Sequence, residues 1–193
     1  MGSEHQTWMG IPQPLCRAVC RAGYGGAGMT LYDATRDLHH ACEAHPLGQA
    51  MVNGSITPQQ WADWLWAMRV LHQVVDATLP DHMNRHGALT ADLAALPKPR
   101  ASRAAMRFAL DLIGQDTTGA GYVLNGAHCS GGRVLAPKMA KRGLPTAHTS
   151  YRDAEAVRAW LAGVRGQTQH AEQARATFAC LLAVMGEITG GEP

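Results

Sequence analysis

No stretch of this chain alternates Val, Ile or Thr with polar residues over the length of a strand, whereas apolar residues recur every three or four positions through most of it. That single periodicity predicts an all-α fold built from helices packed through their apolar stripes. The first helix is expected from about 28 to 46, where Leu31, Ala34, Leu38, Ala41 and Cys42 keep helical spacing. Thr57-Pro58-Gln59-Gln60 then reads as a helix start: a hydroxyl cap, proline at the first helical position and glutamine three residues after the cap. The helix it opens is expected to reach Pro80 and to resume through DHMNRH, and Thr90 is expected to cap a short helix. Further helices are expected from Arg103 to about Gln115, from 118 to 141, from 153 to 165 and from 168 to 188. Residues 1–27 contain Pro12, Pro14 and the run GYGGAG, which predicts an irregular N-terminal arm ahead of a helical domain over 28–190.

Composition narrows the function classes. At 193 residues and 46% hydrophobic content the chain is long enough to bury one sizeable core. Seventeen Lys and Arg against fifteen Asp and Glu leave a net charge of +2, with no basic run of the kind that tracks a phosphate backbone, so nucleic acid is not expected as a partner. No segment has the ~18 to 20 continuous apolar residues of a membrane span. The N-terminus lacks the basic start and apolar stretch of a secretory signal, so no membrane association and a cytoplasmic location are expected. Five scattered cysteines in apolar contexts read as reduced core thiols; Cys16 and Cys20, four apart, are the one pair with ligand spacing, and no second pair accompanies them.

Two segments depart from ordinary bundle helices. In TGAGYVLNGAHCSGGRVLAP the glycines 119, 121, 126, 131 and 132 fall within fourteen residues. Each interior glycine costs about 0.8 to 1 kcal/mol relative to alanine, so the element gives up about 3 to 5 kcal/mol. Close helix packing explains a single glycine; this density suits a helix that bends and brings its backbone against something flat. The other is ATRDLHHACEAH, with two adjacent histidines. On helical geometry His39 neighbours Thr35 and Cys42 on the apolar seam, while His40 neighbours Arg36 and Glu43 on the polar face. His39 is therefore expected to point inward and His40 outward.

With these segments in place the chain resembles the heme oxygenases, particularly the compact bacterial enzymes that make biliverdin. The resemblance runs over about residues 28 to 190 and rests on ATRDLHHACE, the TPQQW helix start, YVLNGAHCSGGRVLAP and the closing ARATFACLLAVMGEI. It implies a heme oxygenase-like fold with heme between the first helix and a kinked, glycine-rich distal helix. It further implies that His39 is the proximal ligand of the heme iron, agreeing with the helix-face argument, and that Ser130, Gly131 and Gly132 lie over the other heme face. Glu43, one turn after His39, is the implied partner of its second nitrogen. Arg36, Tyr122 and Arg158 fall at positions the family uses for the heme propionates. Heme would be both substrate and cofactor. Dioxygen and electrons from a ferredoxin, a flavoprotein reductase or ascorbate would convert it to biliverdin, carbon monoxide and ferrous iron.

The sequence departs from the family where His128 stands in place of a distal aspartate and Cys129 in place of a leucine. Three placements are open for His128: ordering distal water in the aspartate's stead, binding iron as a sixth ligand, or facing a neighbouring helix. Its spacing of three and four residues from Gly131 and Gly132 favours the first, on the distal face. His72 reads as a core or surface residue, and His82, His86, His148 and His170 as solvated. Two other functions compete with heme oxygenase: a non-degrading heme carrier or sensor on the same fold, and a diiron relative, for which His72-x-x-x-Asp76 is one candidate ligand pair.

Overall fold

The computed structural model describes residues 29–190, and every described element is helical. The expected arm over 1–27, with Cys16 and Cys20, lies outside the described residues. The helices are α1 (Leu31–Ala44), α2 (Pro46–Asn53), α3 (Pro58–Val75), α4 (His86–Ala94), α5 (Arg103–Leu112), α6 (Thr118–Gly126), α7 (Gly132–Ala140), α8 (Ala154–Val164) and α9 (Ala171–Thr189). A π-helical turn, Ala127–Gly131, joins α6 to α7, so that the glycine-rich segment is one long helix with a widened middle.

Starts and stops follow local chemistry. Thr30 caps α1 by accepting from the amide of Asp33, whose carboxylate accepts in return from the Thr30 amide at 3.0 Å. Thr57 and Gln60 form the same reciprocal box at α3, with Pro58 at its first position. The sequence reading missed α2: His45 Nδ1 accepts from the Leu47 amide at 3.2 Å, and Pro46 opens the helix immediately after α1 ends. Two further expectations are corrected. α3 stops at Val75 and does not resume, leaving only a short 3-10 turn at Asp81–Met83. Thr90 lies inside α4, where its hydroxyl donates back to the His86 carbonyl at 2.8 Å instead of capping.

α9 is the shared wall of the bundle. It packs on α1 and α2 along one side and on α3, α5 and α6 along others, and α3 in turn carries α4 and α5. Trp61, Leu65, Leu71, Met83, Leu89, Leu124 and Met185 are buried in this core. Burying each such side chain stabilises the fold by about 1.5 to 3 kcal/mol. Trp61 also donates its indole N–H to the Pro145 carbonyl at 3.0 Å, tying α3 to the loop after α7. Trp61 and Trp64 are buried in the core, with Trp66 packed at its edge.

Candidate functional site

α1 presents the first half of the site. Thr35 and Cys42 face the core while Arg36, Asp37 and His40 face solvent, and His39 lies between these faces with its ring edge-on to Phe178 of α9 at 5.7 Å. The side chain of His39 is 19% exposed. Its Nδ1 is 3.2 Å from Glu43 Oε1, within ion-pairing distance yet out of line for a hydrogen bond, so that this buried nitrogen has no hydrogen-bond partner. Burial, helped by the neighbouring His40, lowers the His39 pKa to about 4. At neutral pH the ring is uncharged and has a lone pair to offer. Among the described residues, His39, His40 and Glu43 are the one group whose three ligand atoms lie within 4.8 Å of one another.

The glycine-rich segment is placed differently from the expectation. A Cβ at Gly119 would meet the His170 carbonyl oxygen at 2.6 Å, one at Gly121 would meet Leu79 Cδ1 at 2.6 Å, and one at Gly132 would meet Thr149 Cβ at 2.6 Å. These three glycines let protein pack against protein, the ordinary role of a helical glycine. Gly126 by contrast has open space where its Cβ would be. Ser130 is half-buried and Gly131 buried within the π turn.

His128 also turns away from the expected distal face. It is buried, with its Nε2 3.0 Å from Nε2 of His72 in α3 and its ring 5.1 Å from that of His148. The helical spacing that pairs it with Gly131 and Gly132 assumes regular α geometry, and the π turn re-aims residues 127–131. Of the three placements the ring takes the last, facing a neighbouring helix. His148 is corrected as well: it is buried, not solvated, and its Nδ1 bonds Asp92 at 2.5 Å. His72 is a core residue whose Nδ1 is 2.8 Å from Asp76 Oδ1, and Asp76 accepts in addition from the amides of Arg85 and His86.

Of the residues expected at the propionates, Arg36 is exposed on α1, Arg158 is exposed on α8 and Tyr122 is half-buried on α6 against the core. The positive charge of Arg158 reaches Cys129, whose thiol burial nevertheless pushes up. Near the end of α7 the cations have structural partners: Lys138 donates to the Val52 carbonyl, and Arg142 to those of Gly54 and Ile56. A surface cleft of about 670 Å³ lined by Asp81, His82, Arg85, Arg152 and Asp153 shares no lining residue with the sequence-predicted site.

The donor set thus fits an iron porphyrin on one side. His39 is neutral, partly exposed and 3.2 Å from the Glu43 carboxylate, the kind of group that orients a ligating imidazole once the two are aligned. On the other side the expected cradle does not fit, since Thr149 occupies the face of Gly132 and His72 engages His128. No protein-family model matches the chain, and no curated protein matches it.

Proposed function

We propose that this protein binds heme through His39 and acts as a heme oxygenase. The observation that carries the reading is the His39–Glu43 arrangement: an uncharged, partly exposed imidazole at the edge of the core, with Nδ1 3.2 Å from a carboxylate. His39 would hold the iron through Nε2, Glu43 would orient the ring through Nδ1, and Arg36, Tyr122 and Arg158 would meet the propionates. When bound, heme supplies the iron that activates dioxygen and is itself the molecule cleaved, to biliverdin, carbon monoxide and ferrous iron. An external reductase, ferredoxin or ascorbate supplies the electrons. The neutral state of His39 matters because an imidazolium has no lone pair for iron, and its burial keeps that state at neutral pH.

A second reading is favoured by two contacts. With His128 turned to His72 and Gly132 covered by Thr149, the distal segment offers less to a bound oxygen than the resemblance implies, which suits a protein that carries heme without degrading it. The diiron reading has little support: the His72–Asp76 pair is spent on His128 and on two backbone amides.

Adding hemin and following its absorption tests these readings. Heme oxygenase predicts a shifted Soret band in the wild type and in His40→Ala, its loss in His39→Ala with rescue by imidazole, and its disappearance with new red absorbance once ascorbate or a reductase is added. A Soret band that persists under reductant leaves the carrier. An unaltered spectrum in His39→Ala overturns both.

A further inference from the structure

The buried histidines His72 and His128 hold no part of the heme site proposed at His39, and their protons can be counted. Asp76 is an acceptor only, so the Nδ1 of His72 that bonds it at 2.8 Å carries a hydrogen. A neutral His72 then has a bare Nε2. The nitrogen 3.0 Å away, Nε2 of His128, must supply the hydrogen between them. One excess proton on the pair leaves this bond intact, because an imidazolium can still donate to a neutral imidazole. A second proton puts a hydrogen on both facing nitrogens and two like charges in the core, and the contact cannot survive.

We propose that the His72–His128 pair is an acid-operated latch: it fastens the π turn Ala127–Gly131, and with it Ser130, Gly131 and Gly132, to α3 at neutral pH, and releases that segment when both rings become charged. The latch is a property of the protein alone and does not depend on heme being its ligand.

The surroundings set the direction. α3 contributes His72 and the Asp76 carboxylate. The residue ahead of α4 contributes the guanidinium of Arg85, which donates to the carbonyls of His148 and Ser150. The 3-10 turn Ala147–Thr149 contributes His148 with its partner Asp92 from α4. Tyr151 lies under the Arg85 guanidinium, 4.0 Å from ring to charge, and donates to Asn125 Oδ1 of α6 at 2.7 Å. From α8, the charge of Arg158 acts on Cys129, next along the π turn. Desolvation first, then His72, His148 and Arg85, hold the His128 pKa well below the ordinary histidine value. The latch therefore stays shut at pH 7 and opens only in acid. The π turn is a suitable element to release, since its widened backbone has one residue more than a regular helix would use.

The test uses the protein without added ligand. Long-range ¹⁵N–¹H spectra of the imidazoles should give protonated Nδ1 for His72 and protonated Nε2 for His128 at pH 7.5. On acidification, amide exchange over 127–132, corrected for intrinsic rates, should accelerate at least about tenfold before the remaining helices lose protection. His128→Gln keeps a donor toward His72 without a charge, and in it the early acceleration should disappear. The proposal is overturned by the opposite tautomers, by 127–132 opening only together with the whole fold, or by identical early opening in His128→Gln. Should that variant fail to fold, the tautomers and the order of opening in the wild type decide the matter.

Discussion

The backbone of Gly132 lies directly against the side chain of Thr149: a Cβ built at position 132 would be 2.6 Å from Thr149 Cβ and 3.0 Å from its Cγ2. This contact joins the start of α7 to the 3-10 turn that carries His148, and it changes what a substitution at Gly132 reports. In a plain helix Gly→Ala stabilises by up to about 1 kcal/mol. Here the added methyl group meets a Cβ that cannot rotate away, so Gly132→Ala should destabilise the protein by about 1 to 3 kcal/mol with no ligand present. Thr149→Gly in the same chain should recover much of that loss. Chemical denaturation of the two single variants and the double variant measures the coupling; additive effects would refute the contact.

The Asp63–Arg100 pair gives a second stability test. The Asp63 side chain is 3% exposed and accepts from the Arg100 amide at 2.7 Å, the Arg100 Nε at 2.8 Å and Gln59 at 2.9 Å, pinning the loop after α4 onto α3. Asp63→Ala leaves the Arg100 amide and guanidinium without their acceptor, and should cost about 1 to 3 kcal/mol. Arg100→Ala should cost less, because its head is mostly exposed and the backbone amide still bonds the carboxylate. Urea midpoints rank the two; an equal or larger loss in Arg100→Ala would contradict this.

Much of the architecture was legible in the sequence because it rests on local chemistry. The Thr57–Gln60 box, the apolar stripe of α1 and the inward bias of His39 depend on residues within a turn of one another. What escaped the sequence depends on partners far along the chain. Gly119, Gly121 and Gly132 look alike until His170, Leu79 and Thr149 are brought against them. The distal-face preference for His128 fails for a geometric reason: regular helical spacing does not hold across a π turn, and nothing in AHCSG by itself announces one. α2 had a readable signal in Pro46, one residue after a histidine able to cap. His148 had none, as its burial comes from Asp92, 56 residues earlier.

The thiols provide a third prediction. Burial pushes both Cys42 and Cys180 up to about 12, with the nearby Glu43 and Glu187 carboxylates adding to the effect. Their reactive thiolates are scarce at pH 8 and their sulfurs are covered. In a chain with Cys16→Ser, Cys20→Ser and Cys129→Ala, a thiol-reactive dye should label Cys42 and Cys180 at least about a hundredfold more slowly than in denaturant. Labelling at the rate of a free peptide thiol would show that the α1–α9 and α5–α9 seams open easily.

The last prediction concerns the Asp92–His148 pair, whose contribution depends on pH. Burial alone would raise the Asp92 carboxyl, but the side chain and amide of His148 and the amide of Ala147 outweigh it and hold the group below its usual value. Burial lowers His148, and Asp92 opposes that lowering through a 2.5 Å contact. The unfolded His148 takes up its proton near the reference value of about 6.5, before the folded one does. The unfolded state thus holds the extra proton as the pH falls from about 7 toward 5, and stability drops with it. Asp92→Asn removes the charge that favours His148 protonation in the fold, so the folded imidazole titrates later still and the drop becomes steeper. At pH 7 the same change should cost about 2 to 4 kcal/mol, since two amides and a buried imidazole lose an anionic acceptor. Urea titrations at pH 7, 6 and 5 measure both effects. A variant whose stability falls less steeply than the wild type over that range would show that Asp92 does not support the charge on His148.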